Sequence, residues 1–225
     1  MALASGYIAN NEDALQKYSQ FVEMFKKSRY LINQDHEFYQ HYLPALKEKT
    51  LFITKGQKFF RARNNGLEDF KEDKDLQAPP EGTASIGRIN PKGISYLYVA
   101  EEWETAVAEV QPWMNAKVTI AECIALEDLI VADLLPSVEE LHRVNSYRKV
   151  IGLEFSKPVR PDTKELDYIP TQYIAEYFKN SGLDGLRYRS ALHSGGVNLA
   201  FFNPKNFEVK KNKVVTVKDI KYFSE

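Results

Sequence analysis

The sequence predicts an α+β fold with a split or mixed, mainly antiparallel sheet, flanking helices and an N-terminal helical extension. Two observations carry this. Apolar side chains recur at helical spacing through the first fifty residues, whereas short strand-like runs dominate from about Lys55 onward. Those later runs mix with helices without the regular alternation that a doubly wound parallel sheet requires. The division falls at residues 1–54 for the helical extension and 55–225 for the main domain.

In "NNEDALQKYSQFVEMFKKSRY", Leu15, Tyr18, Phe21, Val22 and Phe25 mark one helix face behind Asn11 as N-cap. Phe38, Tyr42, Leu43 and Leu46 predict a second helix, shortened or bent at Pro44. Two such short helices cannot hold a core alone, so they are expected to pack on the main domain. "KFFRAR" reads as a strand, and a long polar connection punctuated by Gly and Pro runs from Asn64 to Gly93. A connection of that length is a binding loop or partly disordered. "ISYLYVA" is a strand, "EWETAVAEVQPW" a helix, and "KVTIAECIALEDLIVADL" one or two strands. "SVEELHRVNSYRKV" reads as a helix and "IGLEFSKPV" as a strand ended by Pro158. "DYIPTQYIAEYFKNSG" is a helix with Gly182 at its C-terminal end. "GLDGLRYRS", "VNLAFFN" and "FEVKKNKVVTVKDIKYF" complete the chain as β structure.

Composition excludes several classes of function. Hydrophobic residues make up 44% and charged residues 27%, as in soluble globular proteins. A net charge of −1 supplies no global basic field for nucleic acid. The single cysteine, Cys123, permits no intramolecular disulfide and suits a reducing compartment. Its apolar, alternating context predicts a buried, inert thiol. No apolar run is long enough to span a membrane, and the start lacks the pattern of a signal peptide, so a cytoplasmic protein is expected. The four histidines form no metal-binding pattern, and neither a Walker loop, a GxGxxG turn nor a GxSxG elbow occurs. Ser194 in "HSGG" has no identifiable acid partner.

What remains is a set of polar residues at unusual places. Arg61 and Arg63 share one strand face, opposite Phe60 and Ala62. Arg88 lies in "GRINPKG", a tight turn that can fix a guanidinium fork for phosphate oxygens. Tyr98 shares a strand face with Tyr96 and offers an aromatic wall. Glu109 flanks the apolar face of its helix, where a carboxylate facing a cleft can stabilise developing positive charge. Ser190 ends a strand, and a glycine turn leads from it to Asn198. Taken singly, each has a bland reading as a solvated or core residue. Together they suit a dinucleotide whose glycosidic bond is broken.

The order "FRAR", "GRINPKGISYLYVA", "TAVAE", "GLRYRS" and "VNLAFF" resembles the RES domain family, named for its arginine, glutamate and serine, over roughly Lys55 to Phe207. The resemblance implies an ADP-ribosyltransferase-like fold and a bacterial toxin that depletes NAD⁺, cleaving its nicotinamide–ribose bond as a glycohydrolase or phosphorylase. The family's three named residues then fall on Arg61, Glu109 and Ser190, and its second arginine on Arg88. Arg63 is a two-residue slip from Arg61 on the same face, and Arg61 is preferred because it directly follows the aromatic pair. In this reading Arg61 and Arg88 hold the pyrophosphate and adjoining ribose, and Tyr98 stacks on or walls the nicotinamide end. Glu109 takes a ribose hydroxyl and stabilises the oxocarbenium-like state, while Ser190 and Asn198 position the ligand. NAD⁺ is the substrate, with neither cofactor nor metal. The expected partner is an antitoxin that occludes the cleft, and a homo-oligomer is left open. Two alternatives stand beside this one, transfer of ADP-ribose to a protein and an inactive nucleotide-binding module.

Overall fold

The computed structural model describes residues 11–30, 32–65, 72–137, 147–160 and 162–220. Helix α1 (Asn11–Lys27) buries Ala14, Tyr18, Phe21 and Phe25, while Leu15, expected on the same face, turns outward. A π-helical turn (Phe38–Tyr42) runs into α2 (Leu43–Glu48). Pro44 occupies the first turn of α2, where its missing N–H goes unused, so the wider turn ahead accommodates the proline.

Among the described residues, eight strands form one sheet in the order β1-β5-β6-β7-β3-β2-β4-β8. They are β1 (Thr50–Ile53), β2 (Lys58–Asn64), β3 (Leu97–Ala100), β4 (Lys117–Ala125), β5 (Leu129–Asp133), β6 (Gly185–Arg189), β7 (Val197–Phe201) and β8 (Phe207–Thr216). Of their pairings, only β5–β6 is parallel. The split expected from the sequence lies between β2 and β3. β2 pairs with β4 from Lys58↔Ile124 to Asn64↔Val118, but meets β3 at Phe60↔Ala100 alone.

Period-two alternation gives the sheet two apolar faces. Leu97 and Val99 of β3 lie in one core with Phe59, Cys123, Leu199 and Phe201, covered by Leu76 of a 3-10 turn (Asp73–Leu76). That turn belongs to the long connection, which therefore packs rather than merely linking. On the other face, Tyr98 of β3 and Leu186 and Tyr188 of β6 meet α1, α2, α4 (Tyr147–Ser156) and α6 (Ile169–Asn180). A short helix α5 (Lys164–Asp167) precedes α6. Helix α3 (Trp103–Glu109) seats Ala106 on Ala62, Ala100 and Val118, beside the split.

Three expectations are corrected. "IGLEFS" is the end of α4, not a strand, although Ile151, Leu153 and Phe155 alternate. Ile151 and Phe155, four apart, are fully buried, and Leu153 is 56% exposed, which is helical rather than strand burial. Gly152 lets this helix approach the sheet, since a Cβ there would lie 2.7 Å from the Leu134 carbonyl oxygen. Helix α3 stops at Glu109 instead of running to Trp113, because Pro112 restricts Gln111, which has φ +46°. Finally, β1 lies within the segment read as purely helical and pairs with β5 from Thr50↔Ala132 to Ile53↔Leu129. The helix expected over 137–150 falls largely outside the described residues.

Cys123 is fully buried, and burial pushes its thiol up to about 12. The native protein is expected to resist alkylation at pH 8 and to react only once unfolded, which a mass shift with and without denaturant measures.

Candidate active site

A cavity of about 250 Å³ opens where β2 and β3 part. Arg61, Tyr98, Glu109, Tyr188 and Asn198 line it, drawn from β2, β3, α3, β6 and β7. Residues far apart in sequence meet here because the antiparallel order sets β7 against β3 and β6 against β7.

Glu109 is the last residue of α3. One carboxylate oxygen, Oε1, accepts from both the Ser190 hydroxyl and the Asn198 side-chain amide, each at 2.6 Å. Its other oxygen has no hydrogen-bond partner among the described residues. The Ser190 hydroxyl in turn accepts from the backbone N–H groups of Leu192 (3.1 Å) and His193 (3.0 Å). With its acceptor capacity met by that turn, its only proton is directed at the carboxylate. The turn is fastened to α3 by His193 Nδ1 and the Thr105 hydroxyl, 2.8 Å apart. It also needs Gly196, because a Cβ there would lie 2.6 Å from the Thr105 hydroxyl oxygen.

Arg61 reaches across the split. Its Nη1 donates to the Tyr98 carbonyl at 3.0 Å, bridging strands that share one ladder pair. Burial, with the nearby Arg63 charge, lowers its pKa to about 10, so the guanidinium is still cationic at neutral pH. Tyr98 gives its ring to the cavity and its hydroxyl to the "GRINPKG" loop. That hydroxyl donates to Asn90 Oδ1 at 2.6 Å and accepts from Ile89 N–H at 3.1 Å. Gly87 is required alongside, since any Cβ would strike Asn90 Oδ1 and the Tyr98 hydroxyl. Burial holds the Tyr98 hydroxyl protonated well above its ordinary range.

The sequence-derived set is thus brought together at Arg61, Tyr98, Glu109, Ser190 and Asn198, but two members lie elsewhere. Arg63 does not line the cavity; its Nη2 donates to the Gln77 carbonyl at 3.0 Å and holds the returning loop. Arg88 faces a second cavity, where it donates to the carbonyls of Glu154 (3.1 Å) and Lys157 (2.6 Å) at the end of α4 and lies 5.2 Å over the Tyr168 ring. Sequence reasoning overlooks Tyr188, which is buried, lines the cavity and feels both Glu109 and Arg88. Its position two residues before Ser190, within "GLRYRS", is the available clue. The Thr105–His193 contact has no local signature.

Among solved structures, the chain is similar to a chain of the M. tuberculosis MbcT–MbcA toxin–antitoxin complex. The two are 15% identical, with 78% of this chain and 91% of that chain covered and a TM-score of 0.43. No match is found among curated proteins. The RES domain family model matches residues 58–222, well over half of the 225 residues. That match takes in all five ordered motifs and every residue lining the cavity at the split, so the chain belongs to the RES domain family.

Proposed function

We propose that this protein is an NAD⁺-consuming toxin that breaks the nicotinamide–ribose bond, with water or phosphate as acceptor. The observation that carries the reading is the convergence of the Ser190 hydroxyl and the Asn198 amide on one oxygen of Glu109, at the rim of the cavity at the split. Two donors fix the carboxylate while its second oxygen stays available to a ribose hydroxyl. A fixed negative charge beside the anomeric carbon stabilises the oxocarbenium-like state as the bond lengthens. Nicotinamide leaves a cationic ground state as a neutral molecule, so no general acid is required. Arg61 supplies a fixed cation for a phosphate or ribose oxygen, and the Tyr98 and Tyr188 rings wall the pyridine end.

Transfer of ADP-ribose to a protein would use the same bond cleavage and differs only in the acceptor. An antitoxin that covers the cavity is its expected partner. The deciding experiment incubates purified protein with NAD⁺, with and without phosphate, and follows nicotinamide by chromatography. Nicotinamide release is expected, with ADP-ribose or its phosphate ester identifying the acceptor. Label from NAD⁺ appearing on proteins would move the assignment to a transferase. A folded protein that releases no nicotinamide would overturn the reading in favour of a nucleotide-binding module.

A further inference from the structure

The cavity at the split does not enclose a whole dinucleotide. Its volume of about 250 Å³ lies below the roughly 300–1,000 Å³ of drug-sized ligand pockets and suits a pyridine with its ribose. A second cavity, of about 570 Å³, lies beyond the "GRINPKG" loop. The two are neighbours through that loop. Ile89 N–H donates to the hydroxyl of Tyr98, which lines the first cavity, and the adjacent Arg88 lines the second.

The lining of the second cavity has two chemical parts. Lys26, Arg29, Arg88 and Lys157 outnumber its two carboxylates, and side chains such as Phe25 and Ile169 supply an apolar wall. Arg88 is held in place by two carbonyls at the end of α4, and Lys26 is paired with Glu23 at 2.5 Å. Arg29 has no ion pair or hydrogen bond among the described residues. A cluster of cations beside an apolar wall matches a diphosphate carrying a base, and neither part alone would select one. Lys26 and Arg29 precede residue 58, where the family match begins.

We propose that this second cavity receives the adenosine diphosphate half of the dinucleotide, with Lys26 and Arg29 of the N-terminal segment as phosphate-binding residues. The inference rests on the NAD⁺ reading of the neighbouring cavity. In it the dinucleotide bends around the Arg88–Tyr98 wall, and the N-terminal segment contributes to substrate binding.

The test is calorimetric titration of the full chain with ADP, in the wild type, Arg29→Glu, Arg29→Lys and the double variant Lys26→Ala/Arg29→Ala. Arg29 is exposed, so melting temperatures should match and loss of binding will not reflect unfolding. Wild-type binding is expected, with Kd raised about tenfold or more in Arg29→Glu and the double variant, and largely kept in Arg29→Lys. KM for NAD⁺ should rise in the same order. Absence of ADP binding by the wild type, or equal affinity in all variants, would overturn the assignment even if NAD⁺ is cleaved. ADP binding that depends on Arg29, without NAD⁺ cleavage, would uphold the cavity and remove the catalytic reading instead.

Discussion

Glu109→Gln is expected to slow nicotinamide release from NAD⁺ by at least about a hundredfold, with the fold and melting temperature retained. Glutamine preserves an oxygen acceptor for the Ser190 hydroxyl and the Asn198 amide, so the local geometry survives and only the charge is lost. Alanine is the blunter change. It should also abolish activity, but it leaves the donor of Asn198, a side chain only 5% exposed, without its carboxylate, at a cost of about 1–3 kcal/mol. The native glutamate is itself poorly placed for stability, because it ends a helix, where a negative charge opposes the exposed carbonyls. Two donors at 2.6 Å offset that local conflict. A charge kept where helix electrostatics disfavour it is best explained by chemistry, and sites of this kind are where local rules are expected to fail. Single-turnover rates on both variants, together with thermal melts, separate the cases. A folded Glu109→Gln protein with wild-type rate would remove the electrostatic role.

The candidate site residues are legible in the sequence one at a time, but their partnership is not. Arg61, Tyr98, Glu109, Ser190 and Asn198 stand out because polar groups interrupt apolar patterns in a recognisable order. That Ser190 and Asn198 share one oxygen of Glu109 depends on β7 lying beside both β3 and β6, a long-range pairing that no local pattern encodes. Arg88 shows the reverse. Its loop reads correctly as a tight turn, closed by Gly87 N–H on the Asn90 carbonyl, yet the guanidinium is tied to the end of α4, an element that passes for a strand in sequence because Ile151, Leu153 and Phe155 mimic period-two alternation. Likewise β1 is four residues long between a helix and a turn, too short for its pattern to compete with the helical signal before it. Its strand character comes from pairing with β5.

That edge strand bears on a second large effect. A chain beginning at Lys58, where the family match starts, is expected to lose cooperative folding altogether. From sequence the preceding segment looks like an appendage that could be removed to test whether it covers the site. The structure makes it more than a third of the larger core. Tyr18, Phe21, Phe25, Phe38 and Tyr42 are buried in the same cluster as Phe155, Phe178 and Tyr188, with the Phe21 and Phe38 rings 4.4 Å apart and Phe25 5.4 Å from Tyr173. At about 2 kcal/mol for each buried side chain, these five alone contribute on the order of 10 kcal/mol, comparable with the whole stability of an ordinary domain. The buried Arg148 compounds the loss. It donates to the carbonyls of Ala45 and Leu46 in α2 as well as to that of Asp133, and removing α2 would take two acceptors from a buried charge. Truncation would further expose β5 as an apolar edge, so aggregation is the expected form of the failure. Circular dichroism melts and size-exclusion chromatography of the truncated chain measure this directly. A monomer with a sharp melt would mean that the sheet and α4–α6 suffice as a core. In that event the N-terminal helices would be a docked cover, and the truncated chain would become the right protein in which to compare NAD⁺ cleavage with the full chain.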